Sequence, residues 1–156
     1  MTVILSIDPS SAKAAKSNTG IVLLKNGKLL EHWCLPFGVK GFRNWHEKEF
    51  DKIECDKVIF EHFEARDNSK SKDNSVLETI AEIQRLIPCA EPFRNGGYQT
   101  DVPDSLLKKL GLWKFGKSHH ADVRAAARLC IFYAMRNDIE DFVNGVGELL
   151  SESFQG

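Results

Sequence analysis

Two acidic residues stand where acids are costly: Asp8 closes the apolar run VILSID and Glu61 closes VIFE. An ionised carboxylate at the rim of a buried sheet loses hydration, and it is tolerated when it caps a backbone, pairs with a base or coordinates a cation. A third acid, Asp122, falls in the first turn of the alanine-rich run ADVRAAARLCIFYAMR, with His119 three residues earlier. That spacing puts both on one helical face if the helix starts early enough. Each has a plainer use: an Asp-Pro turn for Asp8, a salt bridge for Glu61, a favourable helix dipole contact for Asp122, and simple solvation for His119 and His120. Together the three acids form an oxygen-rich set suited to a hard divalent cation, Mg²⁺ or Mn²⁺, which takes few protein ligands and keeps water or substrate phosphates in its other positions. Two such ions about 3.5–4 Å apart activate a water and stabilise a leaving 3′ oxygen, which is chemistry for phosphodiester hydrolysis.

The elements that must bring these residues together are legible in outline. VILSID, TGIVLL and KLLEHWCL read as three strands, the last two joined at Asn26-Gly27, a strong hairpin signal. Phe42, Trp45, Phe50 and Ile53 recur at roughly helical spacing over residues 42–54, and KVIFEHF returns to a buried strand. After the polar stretch EARDNSKSKDNS, Val76, Leu77, Ile80, Ile83 and Ile87 predict a helix over 75–88 with Ser75 or Asn74 as its cap. CAEPF is a weak strand candidate, Asn95-Gly96-Gly97 marks a loop, and a short helix is expected from Asp101 or Pro103 to Lys109. The alanine-rich helix is the last element the pattern supports. This order predicts an α/β fold with a central mixed five-stranded sheet flanked by helices, in one domain spanning 1–156.

Composition bounds the function classes. At 156 residues, with 42% hydrophobic and 28% charged, the chain can bury a core. No apolar run approaches the roughly 20 residues that span a bilayer, and MTVILSIDPS lacks the basic head of a signal peptide, so a cytoplasmic location is expected. Cys34, Cys55, Cys89 and Cys130 include no C-x-x-C pair and are expected to be buried free thiols. The net charge of −1 conceals an uneven distribution. Residues 103–136 carry Lys108, Lys109, Lys114, Lys117, Arg124, Arg128 and Arg136 against Asp104 and Asp122, whereas 137–156 hold acids and no Lys or Arg and read as an acidic tail. A locally basic face for nucleic acid therefore remains open, as does an ordinary solvated surface.

SIDPS…TGIVLL, then VIFEHF, then HHADVRAAARL resemble the RNase H-like fold as used by RuvC-type Holliday junction resolvases, in element order from Val3 to about Met135. In that family the first strand carries an Asp followed by Pro-Gly, the fourth ends in Glu, and the final helix begins D-x-x-D or H-x-x-D. Asp8, Glu61, His119 and Asp122 occupy those places, and the resemblance implies that they bind two Mg²⁺ or Mn²⁺ ions and carry catalysis. It implies a divalent-metal-dependent endonuclease, a homodimer with two sites, and branched DNA, four-way junctions above all, as partner. A compact divergent member would suit a bacteriophage.

The departures bear on finer assignments. Ser10 replaces the glycine after Asp-Pro, and residues 88–117 do not align readily, so the phosphate-contacting lysine is open among Lys108, Lys109 and Lys117. Phe63 resembles the family's junction-stacking aromatic one residue closer to the Glu, though strand alternation would equally bury it. Arg66, Lys70 and Lys72 lie in the following polar stretch and are further DNA-contact candidates. The competing readings are another nuclease of this superfamily acting on forks or flaps, a terminase-like nuclease, and a non-catalytic junction-binding protein, whose mark would be a lost acid. An actin-like ATPase would need a second related half and Gly-rich phosphate loops.

Overall fold

The computed structural model describes residues 1–10, 18–63, 75–116 and 120–155. The elements are β1 (Val3–Asp8), β2 (Asn18–Lys25), β3 (Lys28–Pro36), α1 (Gly38–Glu49) with a 3₁₀ turn at Phe50–Lys52, β4 (Lys57–Glu61), α2 (Val76–Leu86), β5 (Glu91–Phe93), α3 (Tyr98–Asp101), α4 (Asp104–Lys109), α5 (His120–Arg136) and α6 (Glu140–Gln155). One five-stranded sheet has the order β3-β2-β1-β4-β5. β1–β2 and β2–β3 pair antiparallel, β1–β4 and β4–β5 parallel. This is the expected mixed α/β sheet.

Strand alternation sorts the core into two layers, because successive side chains point to opposite faces. Ile4, Val22, Leu24 and Ile59 face α5 and pack with Val123, Ala126, Ala127 and Cys130. Leu5, Ile7, Ile21, Val58 and Phe60 face the other way, against Phe42 and Trp45 of α1 and Ile80 and Ile83 of α2. The central strands β1, β2 and β4 are buried on both faces, which is why they read as continuous apolar runs, whereas the edge strands β3 and β5 are more exposed. The apolar residues on more than one side of α2 are accounted for within this second layer, since Val76, Leu77 and Leu86 also pack against it.

The Asn26-Gly27 pair makes the expected hairpin turn, with φ of 49° and 87°. α1 starts at Gly38, earlier than the apolar spacing indicates. Phe37, at φ 65°, turns the chain out of β3, and a Cβ on Gly41 would lie 1.8 Å from the Pro36 carbonyl oxygen, so glycine lets the first turn close on the strand end. The segment after Arg136 corrects a larger expectation: residues 140–155 are helical, not a tail. Glu140 and Asp141 sit in the first turn, where carboxylates favour the helix dipole, and Phe142 is fully buried. Gly145 lies so close to the hairpin that a Cβ would meet the Asn26 carbonyl oxygen at 2.3 Å. The thiols also need correction: all four are free, but only Cys130 is buried, while Cys89 is exposed and Cys34 and Cys55 are intermediate.

Candidate active site

Parity and register decide where the acids go. Asp8 shares the face of Ile4 and Ser6, and Glu61 shares that of Ile59, so both carboxylates leave the sheet on the α5 side. β1 and β4 are parallel neighbours with Ile7 opposite Phe60, which places Asp8 and Glu61 side by side at the carboxyl ends of their strands. Asp122 comes from above, on α5. Two contacts seat that helix: the Ser6 hydroxyl donates to the Ala126 carbonyl at 2.7 Å, and Gly20, the partner of Asp8 across the β1–β2 ladder, lies directly beneath the Asp122 backbone. A Cβ at Gly20 would fall 2.2 Å from the Asp122 carbonyl oxygen, so the third acid reaches the strand ends because residue 20 has no side chain. Ser10 has a structural part: its N–H donates to the Thr19 hydroxyl at 3.1 Å and the two hydroxyls meet at 2.8 Å, pinning the chain just after Asp8-Pro9.

The electrostatics of this arrangement are repulsive. Burial first, then a hydrogen bond with Glu61, then the charges of Glu61 and Asp122 hold the Asp8 carboxyl well above the usual carboxylate range. Every influence on Asp8 among the described residues pushes the same way, towards the neutral carboxyl. Among the described residues no three His, Cys, Asp or Glu side chains are already drawn into a coordination cluster. The donor set nevertheless fits a hard divalent cation: carboxylate oxygens, crowded enough to raise the proton affinity of Asp8.

Residues the sequence does not single out complete the site. The Asn95 side-chain amide donates to Glu61 Oε1. Burial, then the charges of Glu61 and Asp8, raise the Tyr98 phenol, opposed by Arg128 and by a hydrogen bond shared with Asn95. Arg128 lies 5.7 Å from the Tyr98 ring centroid and donates to the Val102 carbonyl at 3.0 Å and to Asp104. Because β1, β4 and β5 run parallel, the turn after β5 emerges at the same sheet edge as the acids, the place where open α/β sheets gather their sites. That topological rule is the signal that finds Asn95; its loop-like Asn-Gly-Gly context does not. With Glu61 as a cation ligand, Asn95→Ala is expected to lower metal-dependent turnover about 10–100-fold, the scale for loss of a group that orients a ligand, with little change in melting temperature. Equal turnover by variant and parent in a divalent-ion titration would remove Asn95 from the site.

The remaining candidates fall in different places. Phe63 is partly buried against the α1–α2 layer, the environment of a core strand residue. Lys108 and Lys109 are exposed on α4. His119, Arg66, Lys70, Lys72 and Lys117 lie outside the described residues.

No protein-family model matches the chain, and a search of curated proteins finds no significant match. Solved structures do match. A structure described as T. thermophilus RuvC in complex with Holliday junction substrate superposes with a TM-score of 0.62 at 9% identity, covering 90% of this chain and 98% of that one. A second, Thermus thermophilus RuvC, gives 0.61 at 11% identity, covering 88% and 96%. The chain has the RuvC fold. Identity this low carries the RuvC architecture and nothing of its chemistry, which rests on the side chains at the sheet edge. Among the described residues no helix is long and apolar enough to cross a membrane.

Proposed function

We propose that this chain is a divalent-metal-dependent endodeoxyribonuclease that resolves four-way (Holliday) junctions by paired nicks. The observation that carries the reading is the convergence of Asp8 and Glu61 under Asp122 at one edge of a RuvC-fold sheet, with no base to neutralise Asp8 among the described residues. Asp8, Glu61 and Asp122 would hold two Mg²⁺ or Mn²⁺ ions, with His119 as a further ligand or as the group that positions water. Bound there, the ions lower the pKa of an attacking water and neutralise charge on the leaving 3′ oxygen. Glu61 is held by Asn95 and by its hydrogen bond with Asp8, so its carboxylate keeps one direction without waiting for substrate. A neutral imidazole is the useful form of His119.

On this reading 1–156 is a single nuclease domain, located in the cytoplasm, the host's if the source is a bacteriophage. Two opposed nicks in a roughly two-fold junction call for a symmetric homodimer. Phosphate contacts from exposed bases would make binding salt-sensitive and largely sequence-independent; exposed Lys108 and Lys109 are candidates, Arg66, Lys70, Lys72 and Lys117 complete the proposed DNA-contacting set, and Phe63 would join it only through the part of its ring left outside the core layer. A non-catalytic junction binder would be expected to have lost an acid, and none is missing.

The test is a gel assay of purified protein with Mg²⁺ or Mn²⁺ on a four-way junction, a fork, a flap, an RNA/DNA hybrid and a linear duplex of shared sequence. Symmetrically placed nicks in opposed strands of the junction are expected. Preferred cutting of forks or flaps would move the reading to another branched-DNA nuclease, and no cutting of any substrate would overturn it. A light-scattering mass of one chain in a fully active sample would remove the dimer.

A further inference from the structure

Away from the carboxylates, α4 and α5 build a small basic surface around one indole. α4 ends in a left-handed turn at Gly111, φ 74°, where the Gly111 N–H donates to the Lys108 carbonyl at 3.2 Å and the Leu112 N–H to the Leu107 carbonyl at 2.8 Å. This pattern reverses the chain at a helix end, and it is fastened by an apolar contact between the flanking residues; Leu107 and Leu112 are both fully buried in one core layer. The reversal carries Trp113 back beside the helix it has just left, so that Lys108 Nζ lies 4.6 Å from the indole centroid. From α5, the Arg124 guanidinium stacks on the same indole at 3.8 Å and donates its Nε–H to the Trp113 carbonyl at 3.0 Å. Lys114 joins Lys108 and Trp113 in lining a depression of about 590 Å³.

Several features distinguish this surface from scattered solvated bases. Stacking on the indole and the bond from Nε fix Arg124 in one geometry, and among the described residues its Nη hydrogens are left for an outside acceptor. Asp104 pairs with Arg128 and also feels the charges of Lys108 and Arg124, so one carboxylate stands against Lys108, Lys114, Arg124 and Arg128 and the surface keeps a surplus of positive charge. Arg124 follows Asp122 by two residues, about 3 Å along the helix axis and roughly 200° around it, so the cations and the third acid leave the first turns of α5 on opposite flanks of the buried Val123.

We propose that Lys108 and Arg124, ordered around Trp113, together with neighbouring Lys114, grip the phosphate backbone of DNA bound across the start of α5, adding affinity without reading sequence. The proposal rests on the nuclease reading for its ligand. Phosphates are the complement of a preorganised guanidinium with flanking ammonium groups, and the indole, with cations on it, serves to hold them in place.

The experiment measures binding of the full chain, in EDTA to prevent cutting, to a labelled four-way junction and to a duplex of the same arm sequence, by anisotropy between 50 and 200 mM KCl. Each neutralised phosphate contributes about 0.9 to the slope of log affinity against log salt. Combined Lys108→Gln and Arg124→Gln should flatten that slope by about two and weaken binding on the order of tenfold to a hundredfold. Exposed Lys108→Gln alone, which leaves the packing of Arg124 untouched, should flatten it by about one. Trp113→Leu keeps every charge and should weaken binding several-fold. Parent-like slope and affinity in Lys108→Gln and in the double variant overturn the phosphate grip while leaving the nuclease reading standing; a parent chain that binds neither DNA overturns both.

Discussion

Asp8→Asn should give a protein that melts at a higher temperature than its parent in EDTA and does not cleave DNA. Among the described residues, the parent holds Asp8 near two other carboxylates with no cation to relieve it, so burial and repulsion set its pKa above the unfolded value. For a raised acid, folding takes up a proton, and stability is lost as pH climbs from the unfolded pKa of about 3.9 towards the folded one. An amide carries no such penalty and can keep a hydrogen bond to Glu61. The stability gap between variant and parent should therefore widen with pH across that window. Divalent ions should reverse the ranking: a ligand at a hundredfold excess over its Kd stabilises by about 2.7 kcal/mol, or about 5–10 °C for a chain of this size, and the variant should lose most of that shift. Calorimetry with and without Mg²⁺ measures both effects. A variant that melts below its parent in EDTA, or that keeps the full Mg²⁺ shift, would contradict the assignment of Asp8 to a cation site. Turnover should fall by at least about 10²–10³-fold, the scale seen when one electrostatic stabiliser of a transition state is removed.

Gly20→Ala should be the most damaging single methyl group on the sheet. Its Cβ would lie 2.2 Å from the Asp122 carbonyl oxygen, 2.3 Å from the carbonyl carbon and 2.6 Å from the Val123 nitrogen, all backbone of a packed helix. Backbone cannot swing aside as a side-chain tip does, so α5 must lift from β2 or β2 must bend. Overpacking of this kind costs about 1–3 kcal/mol and occasionally more, and here about 3 kcal/mol is expected. Activity should drop more steeply than stability, because the displaced turn carries Asp122. Gly96→Ala is the matched control: a Cβ there meets nothing within 4 Å, and its unfolding free energy should stay within about 0.5 kcal/mol of the parent. Denaturant midpoints for the two variants decide the matter; similar values would mean that Gly20 does not set the helix height.

What the sequence discloses follows from how each residue is held. Asp8 and Glu61 are legible because a carboxylate closing a buried run is a local anomaly, and the runs of β1, β2 and β4 are legible because strands covered on both faces leave no polar alternation to confuse them. Asn95 and Tyr98 leave no such trace. They reach Glu61 only through the pairing of β5 with β4, a relation between distant segments, and their own neighbourhood reads as a turn. α6 is hidden for another reason: Gly145 and Gly147 depress its helical propensity, yet at Gly145 the missing side chain is what lets the helix settle on the Asn26 backbone. Likewise the height of α5 depends on Gly20, which in a strand pattern signals at most a close approach.

The distance between the first two acids is set by the main-chain ladder joining β1 to β4, not by the packing of any side chain. Cavity-forming substitutions among Ile4, Ile59 or Val123 should therefore soften the protein well before they blur the geometry at Asp8 and Glu61. A deletion of one residue inside β4 would act in the opposite way: the strand could re-pair one step along, its apolar residues would trade faces, and Glu61 would turn its back on its partner. Frame within a strand is thus the quantity that variants of this protein must preserve.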